Sequence, residues 1–355
     1  MLQKFLFAAL SLTMLNTSFG QDSASTKTSA LSISGSADVY YKYDFGKSKS
    51  NNLTSFTNSH NSFELGMASV KFDYTAGKVE MVADLGFGKR AQEFSYNDEG
   101  ILAAVKQLYM SYSANSWLKL TAGSWATHVG YELVDAYANR NYSMSYMFSN
   151  GPFFHTGVKA EITTGKSGFM VGVVNPTDYK YIPDGFINKK FMVAQYSFSA
   201  GDVFKTYVNY VGGQGFDTSK SKQIDVVITS QVSNKFSLAF NSTVSNMKNH
   251  LGKNEFEANK KWWGAAAYAN FDPTEKLGFT LRGEYFSDKN GLKYDGLSGD
   301  GSIFATTLSA QLKTDNLIII PEFRIDAANR SIFTRSNGTA TKSASNFLIA
   351  AIYQF

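Results

Sequence analysis

Apolar and polar residues alternate along most of the chain with a period of two residues. Between residues 31 and 45, apolar residues or glycine occupy the odd positions and mostly polar residues occupy the even ones. Ile33 and Val39 therefore lie on one face of a predicted strand, and Ser34 and Lys42 lie on the other. This period predicts β-strands with one apolar side and one water-facing side. The same alternation recurs in residues 79–90, 236–245, 317–327 and 346–355.

Short and long connections follow one another between the predicted strands. Short turns such as Gly77-Lys78 and Gly201-Asp202 alternate with long polar segments such as 46–61 and 329–343. Seven short turns and eight long loops predict about sixteen strands, each long enough to cross the bilayer core at a tilt. The predicted fold class is an all-β transmembrane antiparallel barrel with short periplasmic turns and long extracellular loops. A barrel of this width leaves an aqueous channel.

The first twenty residues have the pattern of an export signal. Lys4 precedes the apolar run 5–15, and small residues surround Ser18-Phe19-Gly20. This pattern predicts a signal peptide over 1–20, with cleavage near Gly20. Residues 21–30 form a short polar leader, and the predicted barrel occupies 31–355.

The amino-acid composition supports the prediction of a membrane barrel and indicates its cellular location. Aromatic residues make up 15% of the chain, and charged residues only 18%, below the quarter that is usual in soluble domains. Such aromatic content suits the girdles at the two membrane interfaces of a barrel. There is no apolar run long enough for a transmembrane helix, and the net charge of +5 comes without the basic runs that indicate nucleic-acid binding. We therefore expect an outer-membrane protein.

Charged residues recur on the predicted inward faces of the strands. A wall of opposed charges keeps a pore hydrated and influences which ions pass. The alternative is that these are ordinary solvated residues of the wall, which do not select among ions or solutes. The candidate pore-lining residues are Asp38, Lys42, Glu80, Asp84, Lys119, Lys159, Glu161, Arg282, Glu284, Glu322, Arg324 and Asp326.

The longest interruption of the strand pattern is the segment 125–151. It carries Glu132, Asp135 and Arg140 among many aromatic residues. Connections of this length are usually functional or disordered, and the aromatic content argues against disorder. Two arrangements stay open: the segment folds inward as a constriction loop, or it packs across the outer mouth.

Enzymatic and other structural alternatives find less support in the sequence. The four histidines show no metal-ligand spacing, and no Gly-x-Ser-x-Gly stands near His155, the one histidine expected on a strand. We expect no catalytic site, no metal site and no cofactor, with an outer-membrane hydrolase as the weaker alternative. A purely structural or adhesive barrel suits about eight strands rather than sixteen. A soluble β-sandwich of this length would normally split into several domains.

The region 117–175 also carries a family resemblance. Its motifs Gly130-Tyr131-Glu132, Asn141-Tyr142-Ser143 and Gly151-Pro152-Phe153 resemble those of the OmpL-like family of β-barrel porins of Gram-negative bacteria. The resemblance implies a porin fold and passive diffusion of small hydrophilic solutes, with no catalytic or ligand residues to transfer. The expected partners are outer-membrane lipid and such solutes, and the protein is expected as a single barrel or a homotrimer.

Overall fold

The computed structural model describes residues 29–184, 189–215, 218–252 and 255–355. The predicted signal peptide lies outside the described residues, as does most of the polar leader. The first strand begins at Ser29, two residues before the predicted start of the barrel.

Sixteen strands form one closed antiparallel barrel, which confirms the predicted fold class and strand number. Each strand pairs with its neighbours in the barrel, and the last strand, β20 (Ser343–Gln354), pairs with the first, β1 (Ser29–Asp44), to close it. Outside the barrel, β12 (His250–Gly252) pairs with β13 (Glu255–Phe256) and β18 (Phe333–Thr334) pairs with β19 (Ala340–Thr341), as two small hairpins in long loops. The strands are β1 (Ser29–Asp44), β2 (Ser62–Ala76), β3 (Val79–Phe87), β4 (Val105–Ser113), β5 (Leu118–Ala126), β6 (Phe154–Thr164), β7 (Ser167–Val174), β8 (Phe191–Ser199), β9 (Phe204–Gln214), β10 (Lys220–Ser233), β11 (Phe236–Lys248), β12 (His250–Gly252), β13 (Glu255–Phe256), β14 (Lys260–Thr274), β15 (Leu277–Ser287), β16 (Ser302–Thr314), β17 (Leu317–Ala328), β18 (Phe333–Thr334), β19 (Ala340–Thr341) and β20 (Ser343–Gln354).

The period of two residues decides which side chains face the membrane. On β1, Ile33 and Val39 are about half exposed on the outer surface, whereas Asp38 and Lys42 on the other face are almost completely buried. Outward apolar side chains are solvated by lipid, while the closed strand ladder leaves no unpaired edge in the bilayer. The last residue takes part in the closure, because Phe355 and Gly35 exchange both of their backbone hydrogen bonds.

Tight turns join the strands at one end of the barrel. Gly77, Gly165 and Gly201 adopt positive φ in these turns, a conformation that glycine reaches without steric cost. The other end carries the long loops, with two short helices, α1 (Lys89–Phe94) and α2 (Tyr146–Asn150), and four short 3₁₀ segments. Within the part of the chain that the structure describes, no helix combines the length and the apolar character needed to cross a bilayer.

Much of the apolar core lies inside the barrel, in the half of the lumen nearer the long loops. Phe56, Phe94, Met144, Phe148 and Phe153, which come from three different loops, pack into one buried cluster. A second cluster joins loop residues to the inward face of β14–β17. The loops therefore pack inward over this half of the lumen, and their packing positions the site described next.

Candidate functional site

The connection between β5 and β6, residues 127–153, lies inside the barrel, and we call it the inner loop. Its backbone and side chains contact inward residues of strands on different sides of the lumen. Asp225 of β10 accepts a hydrogen bond from the Gly130 amide at 3.0 Å. Lys106 of β4 binds Asp135 at 2.6 Å, and Gln311 of β16 donates to the Asn139 carbonyl at 2.9 Å. Of the two arrangements left open by the sequence, the structure has the inward one.

Two carboxylates of the wall hold the central part of the inner loop through its backbone amides. Glu322 accepts hydrogen bonds from the amides of Tyr142, at 2.8 Å, and Ser143, at 3.2 Å. Glu284 accepts from the amides of Tyr146 and Met147 at 2.9 and 3.0 Å. All residues from 141 to 148 are buried. Hydrogen bonds that buried amides donate to carboxylate groups are stronger than those to neutral acceptors, so this segment is firmly attached.

Two arginines hold the carbonyl groups of the same segment. Arg282 donates to the Ser143 carbonyl at 2.8 Å and pairs with Glu132 at 2.6 Å. Arg324 donates to the Met144 carbonyl at 2.7 Å and pairs with Asp326 at 2.8 Å. Arginine fits this role because its planar head presents five donors and stays charged when buried.

Strand β1, two places from β17 in the ring of strands, holds the inner loop through Tyr142. Its hydroxyl donates to Asp38 of β1 at 2.5 Å. The guanidinium of Arg90, from helix α1, lies over the rings of Phe56 and Tyr142 at 5.1 and 4.6 Å from their centroids and donates to the Val134 carbonyl at 3.1 Å. Asp38 on β1 and Asp225 on β10 face each other across the ring of strands, so the loop is attached to the wall on both sides of the lumen.

Eight of the twelve candidate pore-lining residues are buried against loops rather than exposed in the lumen. Lys42, for example, binds the Asn52 side chain at 2.6 Å and the Thr57 carbonyl at 3.0 Å, both in the first long loop. Burial of an ion is costly unless partners satisfy it, and partners for these residues come largely from loop backbone and loop side chains. The eight are Asp38, Lys42, Asp84, Arg282, Glu284, Glu322, Arg324 and Asp326.

The other four candidates form two partly exposed ion pairs near the short turns. Lys119 of β5 pairs with Glu80 of β3 across the intervening strand β4, and Lys159 pairs with Glu161 at 3.1 Å along β6. The Lys119 side chain is 33% exposed, whereas that of Arg282 is 0% exposed. These charges are therefore accessible from the lumen at the short-turn end.

The three predicted charges of the inner loop all bind the wall. Glu132 pairs with Arg282, and Asp135 pairs with Lys106. Arg140 reaches Asp272, at the short-turn end of β14, with 2.7 Å between Nη2 and Oδ1. The loop therefore extends from the long-loop end toward the short-turn end of the lumen.

Some residues of this site were not found by the sequence reasoning. Lys106, which bridges Asp84 and Asp135, is the residue left without a cross-strand partner where the register of β3 with β4 shifts, and this shift breaks the period of two locally. Arg90 lies in a helix and has no strand pattern. Lys71 and its partner Asp73 at 2.9 Å did carry a signal, because they share one face of β2.

Asp178, in the loop after β7, fastens the end of the inner loop. Its carboxylate accepts hydrogen bonds from the amides of Phe153 and Phe154 at 2.6 and 3.0 Å and from the Tyr96 hydroxyl at 2.9 Å. Burial raises the pKa of Asp178 to about 6, although these three hydrogen bonds oppose the shift.

Two histidines that are far apart in the sequence lie together at the base of the inner loop. The rings of His128 and His155 have centroids 5.0 Å apart. Among the described residues, no group of three or more histidine, cysteine, aspartate or glutamate side chains is arranged to hold a metal ion.

Comparison with known sequences gives one family. The family model described as "Putative beta-barrel porin-2, OmpL-like" matches residues 30–355, which is most of the chain. No curated protein sequence matches the chain.

Solved structures with the same fold are outer-membrane proteins and porins. OmpT of Vibrio cholerae has a TM-score of 0.59 at 13% identity, covering 93% of this chain and 99% of that one. An anion-selective porin from Comamonas acidovorans has a TM-score of 0.61 at 9% identity, covering 92% and 100%. The outer-membrane channel DcaP of Acinetobacter baumannii has a TM-score of 0.59 at 11% identity, covering 94% and 100%. At these identities the similarity shows the fold alone.

Proposed function

Because this chain belongs to the OmpL-like family of β-barrel porins, we propose that it is a passive porin, with the inner loop as its constriction. The family and the barrel make the protein an outer-membrane channel. Through this channel, we propose, small hydrophilic solutes diffuse without an energy source. The observation that carries this proposal is an inner loop attached to opposite walls of a sixteen-stranded barrel.

The exposed ion pairs at the short-turn end are the residues that we propose act on passing solutes. The pairs Glu80–Lys119, Lys159–Glu161 and Lys71–Asp73 place both signs of charge on the inner surface. Opposed charges on a wetted wall create a transverse field, which orients dipolar solutes without binding them tightly. The buried charges that hold the loop act indirectly, by setting where the loop lies.

A hydrolase is the weaker alternative because its best candidate base is inaccessible. His155 is fully buried, and its Nε2 lies 3.1 Å from the Thr127 hydroxyl. A general base must reach the substrate or its nucleophile in a substrate pose, and this pair is covered by protein. We therefore propose a channel without enzymatic activity. If His155→Gln abolished a measurable phospholipid hydrolysis by the purified protein, this part of the proposal would be wrong.

Planar-bilayer recording of the purified protein tests the main proposal. We expect discrete conductance steps, and solute flux into liposomes that rises linearly with the gradient and does not saturate. A variant lacking residues 134–140 should show larger steps and admit larger sugars in liposome swelling. Absence of steps in both proteins would contradict the porin function, and unchanged steps in the deletion variant would contradict the role of the loop.

The assembly is a further part of the proposal. We propose a homotrimer, because a solved neighbour, OmpT of Vibrio cholerae, is described in a trimer form with a TM-score of 0.58 at 12% identity. Chemical cross-linking in mild detergent should then yield a species of three chains. A single-chain species at every detergent concentration would favour the isolated barrel instead.

A further inference from the structure

The base of the inner loop contains two buried imidazole nitrogens without hydrogen-bond partners. His128 lies just after β5, at the entry to the loop, and His155 lies on β6, just after its exit. The Nδ1 atoms of both are buried, and no hydrogen-bond partner for either is found among the residues that the structure describes. A buried polar atom without a partner is costly, so this arrangement calls for an occupant between or beside the rings.

The other nitrogen of each ring has an oxygen partner. Nε2 of His128 lies 3.1 Å from the Tyr210 carbonyl, which only accepts, so Nε2 carries the proton and Nδ1 presents a lone pair. Nε2 of His155 lies 3.1 Å from the Thr127 hydroxyl, which can accept its proton and leave a lone pair on Nδ1 there also. Histidines that ligate metals commonly donate their second N–H to an oxygen in this way.

The geometry of the two rings suits a shared metal ion. With metal–nitrogen distances near 2.0–2.1 Å, two imidazoles on one tetrahedral ion have ring centroids roughly 5 Å apart. The observed separation is 5.0 Å, with the ring planes at 45°.

We propose that His128 and His155 bind one late first-row divalent metal ion, such as Zn²⁺ or Cu²⁺, through their Nδ1 atoms. The ion would link the side chains at the entry and the exit of the loop, where the backbone is already held by the hydrogen bond from the Thr127 amide to the Phe153 carbonyl at 2.9 Å. It would therefore fix the His128 ring against β6. The neighbouring cation, Lys159, is paired with Glu161 at 3.1 Å, which offsets its repulsion of the metal.

A neighbouring residue offers a donor to the same region. Trp125 pairs with His155 across β5 and β6, and its Nε1–H is buried without an acceptor. A divalent ion held by two histidines needs further ligands, which water usually supplies. An indole N–H at this position is suited to donate to such a water.

Metal titration of the folded full-length protein in detergent tests the site. Isothermal titration with Zn²⁺ should show one ion per chain, with tighter binding of Cu²⁺, as the usual order of affinities requires. His128→Gln and His155→Gln keep a donor near the Nε2 position but lack Nδ1. Loss of an outer-shell partner alone weakens metal sites by about 10–100-fold, so loss of a ligand should weaken binding at least about tenfold.

The control is His250→Ala, which removes a histidine in a distant loop hairpin and should leave the affinity within about twofold of the parent. Electron paramagnetic resonance of the Cu²⁺ form should show two coordinating nitrogens in the parent and one in each Gln variant. If a water molecule occupies the position instead, no saturable binding will be seen. Either that result, or equal binding by the double Gln variant, would overturn the proposal without bearing on channel conductance.

Discussion

Two sets of inward charges occupy the same barrel and differ in what covers them. Near the long loops, Arg282 and Glu322 are buried beneath the inner loop and satisfied by its backbone. Near the short turns, Lys119 and Glu80 pair only with each other and stay partly exposed. Both sets combine acidic and basic side chains with the same period along their strands, although the arginines belong to the buried set. The covering loop makes one set part of the packed structure and leaves the other on the wetted surface.

This difference teaches that an inward charge in a barrel is not automatically a selectivity residue. Removing one partner of a buried pair leaves an uncompensated charge and costs about 3–5 kcal/mol, whereas an exposed pair contributes about 0–1 kcal/mol. The buried set should therefore govern stability and the position of the loop, and the exposed set should govern ion preference. Four experiments test this division, ordered from the largest expected effect to the smallest.

Replacing Arg282 by methionine should have the largest effect. Arg282→Met leaves Glu132 buried without its cation and the Ser143 carbonyl without its donor, so we expect a loss of about 3–5 kcal/mol in unfolding free energy. The loosened loop should also increase single-channel conductance. Urea unfolding in micelles and bilayer recording measure the two effects.

The matched control is Lys119→Met, which breaks an exposed pair and should change stability by less than about 1 kcal/mol. Adding Glu132→Gln to Arg282→Met should recover part of the loss, because the unpaired charge is then gone. Equal destabilisation by Arg282→Met and Lys119→Met would contradict the division into buried and exposed sets.

The second experiment concerns Asp178, which fastens the end of the inner loop. Its pKa is about 6 in the folded protein and 3.8 without the fold, so the folded state binds the proton more tightly. The carboxyl group therefore favours folding most below pH 3.8, and this contribution of about 3 kcal/mol is lost as the pH rises through 6.

Asp178→Asn should remove this dependence. The unfolding free energy of the variant minus that of the parent should therefore increase between pH 3.5 and pH 7. Asp295→Asn, which changes an exposed carboxylate in another loop, is the control. A flat difference for Asp178→Asn would show that burial does not disfavour its charge.

The third experiment weakens one carboxylate clamp while keeping its shape. Glu322→Gln retains one acceptor oxygen for the amides of Tyr142 and Ser143 but loses the negative charge. Hydrogen bonds to charged groups are worth roughly 1.5–3 kcal/mol against about 1 for neutral ones, so we expect a loss of about 1–2 kcal/mol. Conductance fluctuations from loop motion should grow at the same time. No change in either quantity would mean that the other attachments of the segment hold it without the charge of Glu322.

The smallest effect on stability, and a clear one on permeation, is expected at the exposed pairs. Lys119→Glu places two acidic groups side by side and should shift the zero-current potential in a salt gradient toward cation preference. Unfolding free energy should change by less than about 1 kcal/mol. The isosteric Lys119→Met should shift the potential about half as far. If neither variant shifts the zero-current potential, then residues elsewhere in the pore determine the ion selectivity.

The sequence by itself determined the barrel, because a period of two is a local property of the chain. The alternation around Ile33 and Lys42 indicates which face of the strand meets lipid and which faces inward, and the spacing of the turns predicts the number of strands. The charged candidates were found for the same reason. Each inward charge lies on a strand whose neighbours repeat the pattern.

Only the tertiary structure decided which of those charges are covered. The contacts of Arg282 with Glu132 and of Glu284 with Tyr146 join residues more than 130 positions apart, and nothing local in either segment specifies them. The meeting of His128 with His155 likewise depends on how the inner loop returns to its starting strand. Loop packing is set by long-range contacts, whereas strand patterning is set residue by residue.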